Sequence, residues 1–105
     1  MRIYPVILEV LKQLQVPLRR IELRDKDLAR QLRRCSASMA LNVAEGMYSR
    51  GKNRSARYHS ALGSARETLA CLEVAEALGY VGAADAALCE KLGRVVGTLA
   101  KLVAA

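Results

Sequence analysis

Residues 25–49 read DKDLARQLRRCSASMALNVAEGMYS. Leu28, Leu32, Cys35, Met39 and Val43, followed by Gly46 or Met47, return at steps of three and four, the spacing of one face of an α-helix. Asp25 or Asp27 suits the N-terminus of that helix, and the pattern carries on to about Ser49. A helix this long, apolar along one stripe only, must lay the stripe against neighbouring elements.

The flanks supply them. Upstream, Ile3, Ile7, Val10, Leu11 and Leu14 predict a helix over Ile3 to Val16. Pro5 is harmless in its first turn, and Pro17 is expected to stop it. Residues 17–24 (PLRRIELR) then form a basic connection in which Leu18, Ile21 and Leu23 pack down. Downstream, Arg50-Gly51-Lys52-Asn53 is a short basic turn, with Gly51 free to take a positive φ. Ser55 is expected to cap a third helix that runs to Leu78, with Tyr58, Leu62, Ala65, Leu69, Leu72 and Ala75 inside and Gly79 as its stop. Residues 83–103 predict a fourth, with Leu88, Leu92, Val95 or Val96, Leu99 and Leu102 on one side. Asp85 and Lys101 match the two ends of its dipole. The expectation is an all-α, antiparallel up-and-down four-helix bundle, one domain over 1–105.

Composition agrees. The chain has no Trp and no Phe, and Leu, Ala and Val build its core, which suits helices better than strands. A core of small aliphatics in 105 residues is thin, so self-association is expected to bury more surface. The longest stretch without charge, Cys35 to Ala44, is too short to span a membrane, and Glu9 falls too early for a signal-peptide core. Cys35, Cys71 and Cys89 form no metal-binding spacing and read as small hydrophobes in a reducing cytoplasm.

Charge is polarised. Residues 1–66 carry 14 basic and 5 acidic side chains, whereas residues 67–105 carry 3 and 5. An excess concentrated in this way points to a polyanionic partner, nucleic acid first. Arg50, Lys52, Arg54 and Arg57 crowd one turn, Arg19, Arg20 and Arg24 the opposite one, and Arg30, Arg33, Arg34 and Arg66 lie between. Arg30 and Arg34 are helical neighbours that repel unless an anion or carboxylate sits beside them. Tyr48 stands next to the first cluster as a candidate for stacking on bases, and Tyr58 reads as core.

A polar layer accompanies the apolar one. Ser38, Asn42 and Glu45 share a face of the second helix, and Gly63, Ser64 and Glu67 do so on the third. In a hairpin closed near Gly51, residues whose numbers sum to about 104 are neighbours, which sets Ser38 near Arg66, Asn42 near Leu62 and Gly63, and Glu45 near His59. Asn42 is expected to bond across to the third helix and Glu45 to meet an arginine, so that the layer sets helix register. Gly63, costly in mid-helix, calls for a close helix approach.

The strings QLRRCSASMALNVAEG (31–46), SALGSARETL (60–69) and EALGY (76–80) resemble the four-helix bundle family of 23S rRNA intervening-sequence proteins. The match rests on Arg33, Arg34, Ser38, Asn42, Ala44, Glu45 and Gly46, then on Gly63, Ser64 and Glu67. The opening third departs from the family, whose members usually begin with a longer aromatic segment often containing Trp. The resemblance implies a bacterial protein, a homopentameric barrel with a basic surface, encoded within an rRNA gene insertion and associated with RNA. The accessory variability (Avd) proteins of diversity-generating retroelements are similar. Likeness to them implies instead an adaptor that engages a reverse transcriptase. A purely structural interaction module is the third alternative.

No enzyme is legible. Residues 46–53 (GMYSRGKN) imitate a phosphate-binding loop, but the Ser or Thr that holds magnesium is missing and a helix precedes it. His59 is the single histidine, and no metal or cofactor is implied. The phosphate-facing set expected is Arg33, Arg34, Arg50, Lys52, Arg54 and Arg57.

Overall fold

The computed structural model describes residues 2–83 and 86–104, so Asp85, expected in a first helical turn, lies outside the described residues. Five helices follow one another: α1 (Ile3–Gln13), α2 (Gln15–Arg24), α3 (Lys26–Met47), α4 (Gly51–Ala77) and α5 (Ala86–Ala104). They pack as an elongated all-α bundle of 42 × 23 × 20 Å. Its long dimension is close to the ~40 Å that a helix of α4's length spans at 1.5 Å per residue.

The N-terminal third differs from expectation. Residues 17–24 are helix, not connection. Pro17 is the third residue of α2, within a first turn, where a missing N–H is tolerated. Leu14 between α1 and α2 keeps helical dihedrals, φ −70° and ψ −18°. The i→i−4 bonds from Leu14 N to Val10 O and from Leu18 N to Leu14 O are both 2.9 Å. Proline therefore interrupts the ladder without turning the chain. Leu18 and Ile21 are buried as expected, but Leu23 points out and is 86% exposed.

The chain reverses at Asp25, whose extended backbone ends α2 and whose carboxylate accepts from Leu28 N at 3.0 Å to cap α3. α3 then buries Leu32, Cys35, Met39, Val43 and Gly46, the predicted stripe, with Leu28 half-buried at its start. Gly51, at φ 59°, starts α4 four residues before the expected cap Ser55. No side chain caps that end. At the other end Tyr80 N bonds Ala75 O at 2.9 Å and Gly79 N bonds Glu76 O at 3.0 Å, with Gly79 at φ 76°, the paired bonds of a glycine-terminated helix.

α3 and α4 form the main hairpin; α5 covers α4, and α1 and α2 close the remaining sides of α3. Ile7, Leu14, Ile21, Leu32, Met39, Leu92 and Leu99 are fully buried at its centre. Each contributes about 1.5–3 kcal/mol through removal from water. On α5 the stripe runs through Leu88, Leu92, Val95 and Leu99, so Val95 takes the inner place over Val96, and Leu102 is partly exposed.

Cys35 on α3 and Cys71 on α4 are buried, Cys89 half-buried. Burial raises the Cys35 thiol, while burial and the nearness of Cys35 push Cys71 up from 9.0 to about 12. The folded chain therefore holds protons that the unfolded chain releases above pH 9. The contribution of these two thiols to stability is fully present below that value and is lost as pH rises from 9.0 toward about 12. Urea unfolding across this window checks the slope, and Cys71→Ala is expected to flatten it.

Candidate nucleic-acid interface

The polar layer between α3 and α4 forms, but with partners shifted from those expected. Ser64 Oγ donates to Ser38 Oγ at 2.9 Å, so Ser38 faces Ser64 and not Arg66. Asn42 stays on its own helix, its amide donating to Ser38 O at 2.9 Å and Ser38 Oγ at 3.1 Å. It does not cross to α4, because the i−4 carbonyl and hydroxyl lie within its reach. Glu45 meets an arginine as expected, and the partner is Arg57 at 3.0 Å, not His59. Thr68, absent from the sequence reading, extends the layer: its hydroxyl reaches Ser64 O at 2.7 Å and lies 3.4 Å from Cys35 Sγ. Its signal was a position four residues after Ser64.

The two motif glycines behave differently. Gly46 is buried where the Tyr58 ring fills the space a Cβ would take. Gly63 is exposed with nothing within 4 Å of its Cβ direction, so the expected close helix approach is not made inside the subunit.

The basic side chains divide. Arg33 pairs with Glu22 across α2 and α3, and Arg57 with Glu45. Arg54 lies over the Tyr58 ring at 5.8 Å, and Arg24 over Tyr80 at 5.4 Å. Arg34, Arg50 and Lys52 have no acid partner among the described residues. Arg50, Lys52 and Arg54 gather at the N-terminus of α4, beyond the end of α3 that lies ~20 Å from Arg34 at 1.5 Å per residue. The six predicted residues are all exposed, yet they make two groups and not one patch. Tyr48, 88% exposed, projects beside the α4 group, while Tyr58 is buried and unavailable to a base.

α4 has no acidic residue in its first turn, and its N-cap Arg50 makes no side-chain bond. The positive end of that helix dipole therefore carries cations, where acids are the stable choice. Fold stability does not account for this arrangement; an anion would.

A family model described as 23S rRNA-intervening sequence protein matches residues 8–101. The chain belongs to that family. The matched span contains the positions of Arg33, Arg34, Arg50, Lys52, Arg54 and Arg57 and of Ser38, Asn42, Glu45, Gly46, Gly63, Ser64 and Glu67. It also runs through α2, where the expected opening of the family was least evident. No curated protein and no solved structure matches the chain. Among the described residues no helix is long and apolar enough to cross a membrane. Nor does any group of three His, Cys, Asp or Glu side chains converge there to hold a metal ion.

Proposed function

We propose that this intervening-sequence family protein is a non-catalytic, cytoplasmic RNA-associated protein that works as a homo-oligomer, with five subunits as the family resemblance implies. The carrying observation is the cationic N-terminus of α4: Arg50, Lys52 and Arg54 stand on the positive end of a helix that has no first-turn acid. Phosphate oxygens satisfy both the side chains and the uncapped backbone amides. Such contacts hold a backbone without reading bases, and a ring of subunits repeats them. Exposed Leu41 on α3 and exposed Tyr48 just past its C-terminus supply apolar surface for subunit contact.

Filter binding of a structured RNA over a salt series tests this. Affinity should fall steeply and linearly in log–log form, with a slope near −0.7 to −0.9 for each phosphate neutralised. No binding at low salt ends the RNA reading. Light scattering at micromolar concentration should find an oligomer, and a monomer contradicts the assembly. The same apolar surface favours a second reading, an adaptor docking a reverse transcriptase, for which a reverse-transcriptase gene alongside is the discriminating observation.

A further inference from the structure

We propose that the cleft between the first half of α3 and the middle of α4 binds a ribonucleotide unit, its phosphate on Arg30 and Arg34 and a ribose hydroxyl on Glu67. The cleft has a volume of about 600 Å³, within the range that takes small-molecule ligands. It is separate from the α4 N-terminus, and the inference rests on the RNA-association reading for its choice of a nucleotide over other phosphorylated ligands.

Hydrogen-bond accounting carries the argument. Ser38 and Ser64 bring two hydroxyl protons to the cleft wall, and one is spent on the 2.9 Å bond between them. Ser38 Oγ also accepts from Asn42 at 3.1 Å, so it is well supplied with donors. Whichever serine donates to the other, one proton remains without a protein acceptor among the described residues. Two cations stand beside it. Arg34 has no acid partner, and Arg30 makes a loose contact with Asp27 at 3.8 Å, both side chains largely exposed. At i and i+4 the two arginines are about 5–6 Å apart at Cβ; Asp27, also on the cleft wall, offsets part of the Arg30 charge, and no acid among the described residues offsets that of Arg34. Two guanidinium groups and a hydroxyl donor lining one cleft suit a phosphate.

The opposite wall has the opposite need. Glu67 accepts from Gln31 Nε2 at 3.2 Å through one carboxylate oxygen and meets no cation among the described residues. A free carboxylate oxygen in a cleft asks for a donor. A 2′-hydroxyl answers it, and is the group that separates RNA from DNA. The pairing of cationic and anionic walls favours a nucleotide over bare phosphate.

Heteronuclear NMR titration of the full chain tests this with four probes: inorganic phosphate, adenosine 5′-monophosphate, its 2′-deoxy analogue and a short single-stranded RNA. Expected are shifts at residues 30–38 and 64–67 with adenosine monophosphate, weaker ones with the deoxy analogue, and weakest with phosphate. Arg34→Gln should weaken adenosine monophosphate binding roughly tenfold, the loss of about one charge-assisted hydrogen bond. Glu67→Ala, which removes the acceptor altogether, should keep phosphate-dependent binding and erase the ribose preference. Because Arg34 and Glu67 are exposed, both variants should retain full helicity. A strand that saturates the cleft at lower concentration than the mononucleotide assigns it to RNA, and equal occupancy assigns it to free nucleotides. RNA binding with no shift at the cleft overturns this inference alone; mononucleotide binding with no RNA retention overturns the RNA reading alone. Absence of any shift with adenosine monophosphate, or shifts confined to residues 50–57, removes the site.

Discussion

Replacing Arg50, Lys52 and Arg54 together by Glu is expected to lower RNA affinity at least about 100-fold while raising the thermal stability of the protein. The first half follows from lost phosphate contacts. At ~1 kcal/mol each, three contacts amount to ~3 kcal/mol, and tenfold in affinity is 1.4 kcal/mol. Reversal adds repulsion, so the figure is a lower bound. The salt dependence should flatten by roughly two units for a single strand, given about 0.7 per phosphate. The second half follows from the helix. The three side chains are exposed and make no ion pair with an acid among the described residues. Only the Arg54–Tyr58 ring contact at 5.8 Å is given up, at about 0.5–1 kcal/mol. Against it, acids in the first turn interact favourably with the dipole by about 0.3–1 kcal/mol each.

The opposite signs make this a sharp test. A structural role for the three cations predicts loss of stability along with any loss of binding. A bystander role predicts gained stability and unchanged binding. Filter binding and thermal unfolding of the same preparation separate these cases.

What could be read in the chain was what depends on local spacing. The α3 and α5 stripes, the Gly79 stop and the positive φ at Gly51 each follow from neighbours a few residues away. What was misread depends on context at longer range. Pro17 is a stop in the middle of a helix and neutral in a first turn, and residue type alone does not say which. The Ser38–Ser64 pairing turns on helix rotation that a rule of summed numbers fixes only to within two residues. Glu22 takes Arg33 because residues 17–24 are helical, so one misread segment hid one ion pair. Tyr48 beside the cations was legible as a position, yet its 88% exposure required knowing which way α3 faces.

Gly46 and Gly63 belong to the same paired motif, and substitution by Ala is expected to move stability in opposite directions. At Gly63 an added Cβ meets nothing within 4 Å, and relief of glycine's backbone entropy in mid-helix should stabilise the subunit by about 0.5–1 kcal/mol. At Gly46 the same Cβ lands 2.8 Å from Tyr58 Cδ1, and nearer still to Cε1. That ring is buried at 4% exposure, with Arg54 over its face, and has little room to retreat. Overpacking of this kind costs about 1–3 kcal/mol, which outweighs the propensity gain of about 1 kcal/mol. Gly46→Val should cost more than Gly46→Ala. The ring is the cause, so Tyr58→Leu should leave the Gly46→Ala penalty much smaller in a double-mutant cycle. Tyr58→Phe supplies the control. The Tyr58 hydroxyl is buried with no hydrogen-bond partner among the described residues, so its removal should be neutral or stabilising. Urea midpoints for the set decide the matter: a Gly46→Ala protein as stable as the parent, or a penalty unchanged in the Tyr58→Leu background, dissociates the glycine from the tyrosine. A Gly63→Ala protein that unfolds no earlier at low concentration but loses its oligomer would place that glycine in a contact between subunits.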